Sequence, residues 1–182
     1  AYRGHFWRVD AENDAGLPRN FRTCQSSFHG VEHKYASEVD PSYIPSRKGL
    51  DDLHISGSGQ FSARQFDALV HELRKKTKGP IYDVDLRQES HGFFDGTAVS
   101  WYGRHDWGNI GKSQVLIDEQ QRLQAVLGTD VTVYDQGKGD LPVHPQIMTV
   151  RRVQTEQELA ESKGVHYVRL ASTDHLWPTP DE

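Results

Sequence analysis

The chain has 182 residues, enough for one domain of ordinary size or for a large part of a bigger one. A hydrophobic fraction of 35%, a mean hydropathy of −0.73 and the lack of any apolar run near ~18 residues exclude an architecture of membrane-spanning helices. A formal net charge of −5 argues against a general nucleic-acid or membrane-surface binder, and a single cysteine excludes an internal disulfide.

The N-terminal stretch AYRGHFWRVDAEND lacks the apolar core of a signal peptide. Residues 1–60 read as loop-rich, punctuated by Gly16, Pro18, Pro41, Pro45 and Gly49, with no repeat and no linker that would divide the chain. Ser62 with Gln65 three positions on is a capping box, and Phe66, Leu69, Val70 and Leu73 then form one apolar stripe of a helix ended by Gly79-Pro80. Residues 81–86 are expected to form a strand. Asp95-Gly96, between Phe93-Phe94 and the apolar run 98–102, predicts a hairpin. A second helix is expected over about 113–127, with Leu116, Leu123, Val126 and Leu127 inward and Gly128 closing it. Strands follow at 131–134 and 147–153. Thr155 and Glu158 cap a short helix ending at Gly164, and a final strand at 165–170 leads into STDHLWPTPDE. Helices mixed with strands and a hairpin imply an α/β core carrying a small antiparallel element.

Few residues could carry chemistry on their own evidence. Arg8, Arg19, Arg22, Arg47, Lys48, Arg104, Lys112 and Lys138 lie near glycine, proline or aromatic residues, in expected loops, and a few of them in one concavity would make a basic pocket in an acidic protein. Cys24 lacks both a glycine-rich cradle and an arginine six positions on, where Gly30 stands, so it is expected to be a half-buried bystander. The segment HGVEH (29–33) fits an H-x-x-E-H zinc pattern, but Gly30 and the nearby prolines argue against the helix that pattern needs. The GSG run at 57–59 is a weak phosphate-loop signal. Asp174 follows a strand and precedes proline, a placement that serves either a turn or a proton donor.

The stretches PRNFRT (18–23), YDVDLRQESHGFFDGTAVSWYG (82–103), RHDWGNIGKSQ (104–114), RRVQTEQELAE (151–161) and STDHLWPTP (172–180) together resemble the protein-tyrosine-phosphatase-like phytases, from about Pro18 to the last residue. The resemblance implies a phosphatase-like α/β core with a small partial β-barrel subdomain, acting on myo-inositol polyphosphates such as phytate without a metal or other cofactor. It implies a cysteine in an H-C-x-x-G-x-x-R loop that forms a cysteinyl-phosphate. Asp174 would be the general acid, His175 and Arg22 would contact substrate phosphates, Asp106 would line the pocket, and Lys138 would contribute although GKGD departs from a more basic run in relatives. Arg22, His175 and Lys138 are expected to share a cleft with Asp174. It also implies a bacterial protein that is secreted, periplasmic or on the cell surface.

No H-C-x-x-G-x-x-R loop occurs in these 182 residues. They are therefore expected to be the N-terminal part of one phosphatase domain, with the nucleophile beyond residue 182 on the same polypeptide or in a second repeat. Alone they are expected to be inactive and to lack sheet partners needed for stable folding. The alternative, from a different class, is a non-catalytic inositol-phosphate-binding module or an inactive half of a tandem-repeat phytase.

Overall fold

Phe6, Trp7 and Val9 head the strand around which most of the structure is assembled. The computed structural model describes residues 3–26, 46–110 and 114–177. The HGVEH stretch, Lys112 and the prolines at 178 and 180 lie outside these residues. In chain order the elements are β1 (Phe6–Ala11), β2 (Arg22–Thr23), β3 (Ser56–Gly57), α1 (Ala63–Lys76), β4 (Tyr82–Arg87), β5 (His91–Phe94), β6 (Thr97–Tyr102), α2 (Val115–Gln124), β7 (Asp130–Gln136), β8 (Pro142–Thr149), β9 (Val153–Gln154), α3 (Glu156–Ser162) and β10 (His166–Ser172). Two compact units are formed, one from Ala1–Pro18 with Gln60–Glu182 and one from Arg19–Gly59. No helix among the described residues is long and apolar enough to cross a membrane.

In the larger unit a six-stranded sheet runs β8-β7-β1-β6-β5-β9, with β8 and β9 at its edges, and β4 pairs in parallel with β10 in a separate two-stranded sheet. This mixed α/β arrangement carries the expected antiparallel hairpin, β5–β6, within the six-stranded sheet, where β1 and β7 pair in parallel. Trp7, Phe94, Val99, Leu123, Val133 and Val150 form its buried core. Burying each such side chain contributes roughly 1.5–3 kcal/mol. The expectation that residues 1–60 are loops fails at β1, an interior strand paired with β6 and β7. Arg8 is accordingly a strand residue.

The β5–β6 hairpin turns on Asp95 (φ 48°) and Gly96 (φ 90°), the left-handed pair that a two-residue connection needs. Both expected capping boxes form, at Ser62/Gln65 on α1 and at Thr155/Glu158 on α3. The single strand expected at 147–153 is instead the end of β8 and the start of β9, separated where Val150 turns into the core. Pro142 and Pro145 are tolerated in β8 because it is an edge strand and needs no donor on its outer side. Helix α2 is shorter than expected and turned differently. Leu116 and Leu127 are exposed, whereas Glu119 and Leu123 are buried, because Glu119 takes an inward position as an ion-pair partner.

Gly92 in β5 shows how close the helix packs on the sheet. A Cβ there would lie 2.7 Å from both the Gln154 carbonyl oxygen and Leu123 Cδ1. Gly92→Ala should therefore destabilise the fold by about 1–3 kcal/mol through overpacking, read as a lower midpoint of urea unfolding; an unchanged midpoint would contradict this packing.

Candidate functional site

The parallel pair β4–β10 has the reverse of the usual polarity. Tyr82, Val84, Leu86 and Val168 face outward and are exposed, while Asp85 is buried and Arg169 lies on the same inner face. What holds this charged inner face against the rest of the unit is a set of hydrogen-bonded ion pairs. His91 Nε2 lies 2.9 Å from Asp85 Oδ2 and 3.1 Å from Glu156 Oε2, and its Nδ1 faces the Glu89 carbonyl at 2.9 Å. Tyr167 donates to Asp85 at 2.5 Å, and Arg169 bridges Asp85 (3.3 Å) and Glu119 (3.2 Å).

Burial and the Arg87 charge push the His91 imidazole toward neutrality, but its hydrogen bonds to Asp85 and Glu156 prevail and hold its pKa well above the usual value. Burial alone would raise Asp85, yet His91 and Arg169 hold it well below the carboxylate range. Asp83, buried beside Glu156 with fewer compensating cations, is pushed up to about 9. Asp85, His91 and Glu156 bring ligand atoms within 4.8 Å of one another, a spacing compatible with a metal ion. With its Nδ1 facing a carbonyl and its Nε2 between two carboxylates, the imidazole in its protonated form can donate from both nitrogens and pair with both acids. The cluster is a structural ion network.

From this network a line of paired charges leads to the residues singled out by motif. Arg87 pairs with Glu89 and with Asp10 (3.0 Å), Asp10 with Arg8 (2.7 Å), and Arg8 with Asp106 (3.4 Å). Burial raises Asp106, Arg8 offsets part of that, and Glu89 adds to it, giving about 6. Next to it Trp107 donates its indole N–H to the Asp174 carbonyl oxygen at 3.0 Å. Gln88 fastens the same loop from the other side, accepting from Thr173 Oγ1 at 3.0 Å, while buried Asn109 ties the 104–110 segment to the Gln88 carbonyl at 3.0 Å. The Asp174 carboxylate itself remains about half exposed at the end of β10, with His175 beside it in a left-handed conformation (φ 60°).

The segment that carries Asp106 and the loop that carries Asp174 and His175 are thus tied by the Trp107 hydrogen bond. Lys138 sits exposed in a 3-10 turn, Lys138–Asp140, whose Asp140 accepts from Tyr102 (2.7 Å) and Gln136 (3.3 Å), and Gln136 in turn accepts from Arg8 (3.0 Å). The GKGD departure therefore has a structural use: Asp140 buttresses the turn. In the smaller unit Arg22 lies on β2, donates to the Asn20 carbonyl (2.9 Å) and packs over Gly57, where a Cβ would meet its guanidinium at 3.6 Å. Gly59 likewise makes room for Arg19, so the GSG glycines serve arginine packing. Cys24 is half-buried, with its thiol 3.5 Å from the Asp51 carbonyl. Trp107, Gln88, Arg87 and Glu89 were not singled out by sequence reasoning, although all fall within motif stretches.

Residues 84–182 match the model of the PTP-like phytases, a family described by inositol hexakisphosphate. The chain belongs to the PTP-like phytase family. It is similar to the tandemly repeated protein tyrosine phosphatase-like phytase from Mitsuokella multacida, with a TM-score of 0.89 and 45% identity over 98% of this chain and 31% of that one. The same values hold for the PTP-like myo-inositol phosphatase of that organism in complex with myo-inositol-(1,3,4,5)-tetrakisphosphate. A PTP-like phytase from Bdellovibrio bacteriovorus matches with a TM-score of 0.62 and 27% identity, over 98% of this chain and 54% of that one. Effector protein hopD2 of Pseudomonas syringae pv. tomato is 30% identical over 165 residues, 84% of this chain and 34% of that protein. The chain thus spans about a third of the length of the first relatives it matches.

The ion network sets a pH dependence. His91 has a folded pKa above its unfolded value of about 6.5, so its contribution is complete below that pH and is lost as pH rises through the folded value. Asp83 and Asp106 act in the same direction, because the native state keeps protons that the unfolded chain releases above about pH 4. Asp85, Asp10 and Glu89 are depressed, so their stabilisation is present above about pH 4 and is lost as pH falls. The unfolding temperature should peak between about pH 4.5 and 6.5 and decline toward pH 9. His91→Phe should cost about 3–5 kcal/mol at pH 6 by stranding buried carboxylates and should flatten the alkaline decline. An unfolding temperature that climbs steadily from pH 6 to 9 would count against this assignment.

Proposed function

We propose that the chain forms part of a phosphomonoesterase that removes phosphates from myo-inositol polyphosphates by a cysteinyl-phosphate mechanism, with Asp174 as its general acid. The observation that carries this reading is the placement of Asp174: just past the end of a parallel strand, in a loop clamped by Trp107 and Gln88, with its carboxylate half open to solvent. A departing inositol alkoxide is a poor leaving group and requires such a donor. In the reaction a thiolate attacks phosphorus as the P–O bond to inositol breaks, and Asp174 gives its proton to the leaving oxygen. The Asp174 carboxylate then takes a proton from the water that attacks the cysteinyl-phosphate, releasing phosphate and the thiolate. Arg22, His175 and Lys138 are assigned to substrate phosphates, and Asp106 to the wall of the pocket.

The nucleophile is assigned to sequence outside residues 1–182, since the chain holds no H-C-x-x-G-x-x-R loop. The exposed outer face of β4–β10 supports that assignment. Parallel sheets are ordinarily covered on both faces, and Tyr82, Val84, Leu86 and Val168 form an apolar surface suited to an added element. A second reading, a non-catalytic inositol-phosphate-binding repeat, is favoured by the tandem repeats of the Mitsuokella multacida relative. A degenerate cysteine loop in the adjoining sequence would select it.

Asp174→Asn, placed in the polypeptide that carries the cysteine loop, should keep ligand binding and lower kcat on phytate by about 10²–10⁴. An aryl phosphate, which leaves without a proton, should lose less. Full turnover of phytate by the variant would refute the assignment, and metal-independent phosphate release by residues 1–182 alone would refute the location of the nucleophile.

A further inference from the structure

The basic concavity on the far side of Trp107 belongs to none of the roles assigned above. Arg3, His5, Arg104, His105 and Trp107 line it, an open depression of about 500 Å³. Two guanidinium groups and two imidazoles stand around it with no carboxylate among the lining side chains. This is a concentration of donors in a protein of net charge −5. The guanidinium groups of Arg3 and Arg104 make no hydrogen bond or ion pair to another described residue, whereas those of Arg8, Arg87 and Arg169 are each committed to carboxylates.

The walls are built. His5 stacks on Trp101 (ring centroids 5.9 Å apart, planes 9° apart) and fills space left by Gly103, where a Cβ would lie 2.7 Å from its Nε2. Gly108 leaves room for the same ring, a Cβ there falling 3.6 Å from His5 Cδ2. His105 adopts a left-handed conformation (φ 55°, ψ 21°) that is costly for a non-glycine residue, and its ring lies 5.2 Å from that of Trp107. Two glycines and a left-handed backbone thus seat two imidazoles at one depression.

We propose that this concavity binds a phosphate group of the inositol polyphosphate other than the one being cleaved, and so helps to determine which phosphate reaches Asp174. The inference rests on the phosphatase reading above and deepens it. Trp107 is the link: its indole lines the concavity and its N–H holds the Asp174 carbonyl, so an anion seated there lies beside the general-acid loop. Guanidinium groups match phosphate oxygens with paired N–H donors, and imidazoles supply further donors without steric bulk.

The test titrates the longer polypeptide, its loop cysteine changed to serine so that nothing turns over, with inositol hexakisphosphate and, separately, with inorganic phosphate, following the side-chain NMR signals of His5, His105 and the Trp107 indole. Inositol hexakisphosphate should shift both histidines and Trp107 saturably, at concentrations at least tenfold below those inorganic phosphate requires, with an affinity that falls as salt is added. Arg3→Gln and Arg104→Gln, both exposed and remote from the core, should each weaken that binding roughly tenfold while leaving the His91 signals unchanged. Three outcomes would overturn the proposal: no movement of His5 and His105, binding insensitive to both arginine variants, or inorganic phosphate binding as tightly as the hexakisphosphate. The last would mark a free-phosphate site. Aryl phosphate turnover by the longer polypeptide needs the cysteine loop but no second phosphate. Its persistence alongside any of these outcomes would leave the phosphatase reading standing while this subsite falls.

Discussion

Asp85, His91 and Arg169 fasten a charged strand face to the interior of the larger unit, and the placement of the candidate site depends on that fastening. Strands β4 and β10 pair only with each other among the described residues, and their inner face offers little apolar surface with which to adhere to anything. Burying these charges carries a desolvation cost of several kcal/mol per ion, which mutual pairing offsets only when nearly every donor and acceptor is matched. Here Tyr167, Glu119, Glu156 and the Glu89 carbonyl complete the matching. Directional bonds of this kind fix the register of β10 against β5, α2 and α3 more narrowly than an apolar contact would.

That narrowness is transmitted to the functional end. Arg87 belongs to β4, and through Glu89, Asp10 and Arg8 the pairing continues to Asp106, one residue before Trp107. The Asp174 loop accepts one direct hydrogen bond from this frame, from Trp107, and donates another to it, from Thr173 to Gln88. Left-handed non-glycine residues gather in this region: His105, Asp106, Asp140 and His175. Each is a local cost that the surrounding bonds sustain, and such costs collect where side chains must point in directions relaxed loops do not offer.

Polarity is divided between the two faces of β4–β10 to suit two kinds of contact. The inner face is held by ion pairs formed within these residues. The outer face, with Tyr82, Val84, Leu86 and Val168, is apolar and exposed.

The features legible in the sequence were those with local causes. Capping boxes at Ser62 and Thr155, the Asp95-Gly96 hairpin and the strand leading to Asp174 each follow from side chains within a few residues of the backbone they govern. Motif stretches also marked Asp106, Asp174 and His175 as members of one family pattern before their proximity was known. Three things were decided only in three dimensions. The strand β1 was hidden in a loop-rich N-terminal stretch because its partners β6 and β7 lie about a hundred residues away. Helix α2 turned a glutamate inward against the apolar pattern, because Arg169 and the His91 backbone N–H made that burial favourable. The Trp107 clamp and the basic concavity beside it arose from residues scattered between positions 3 and 174, and long-range hydrogen bonding and charge pairing leave no periodic trace in a sequence.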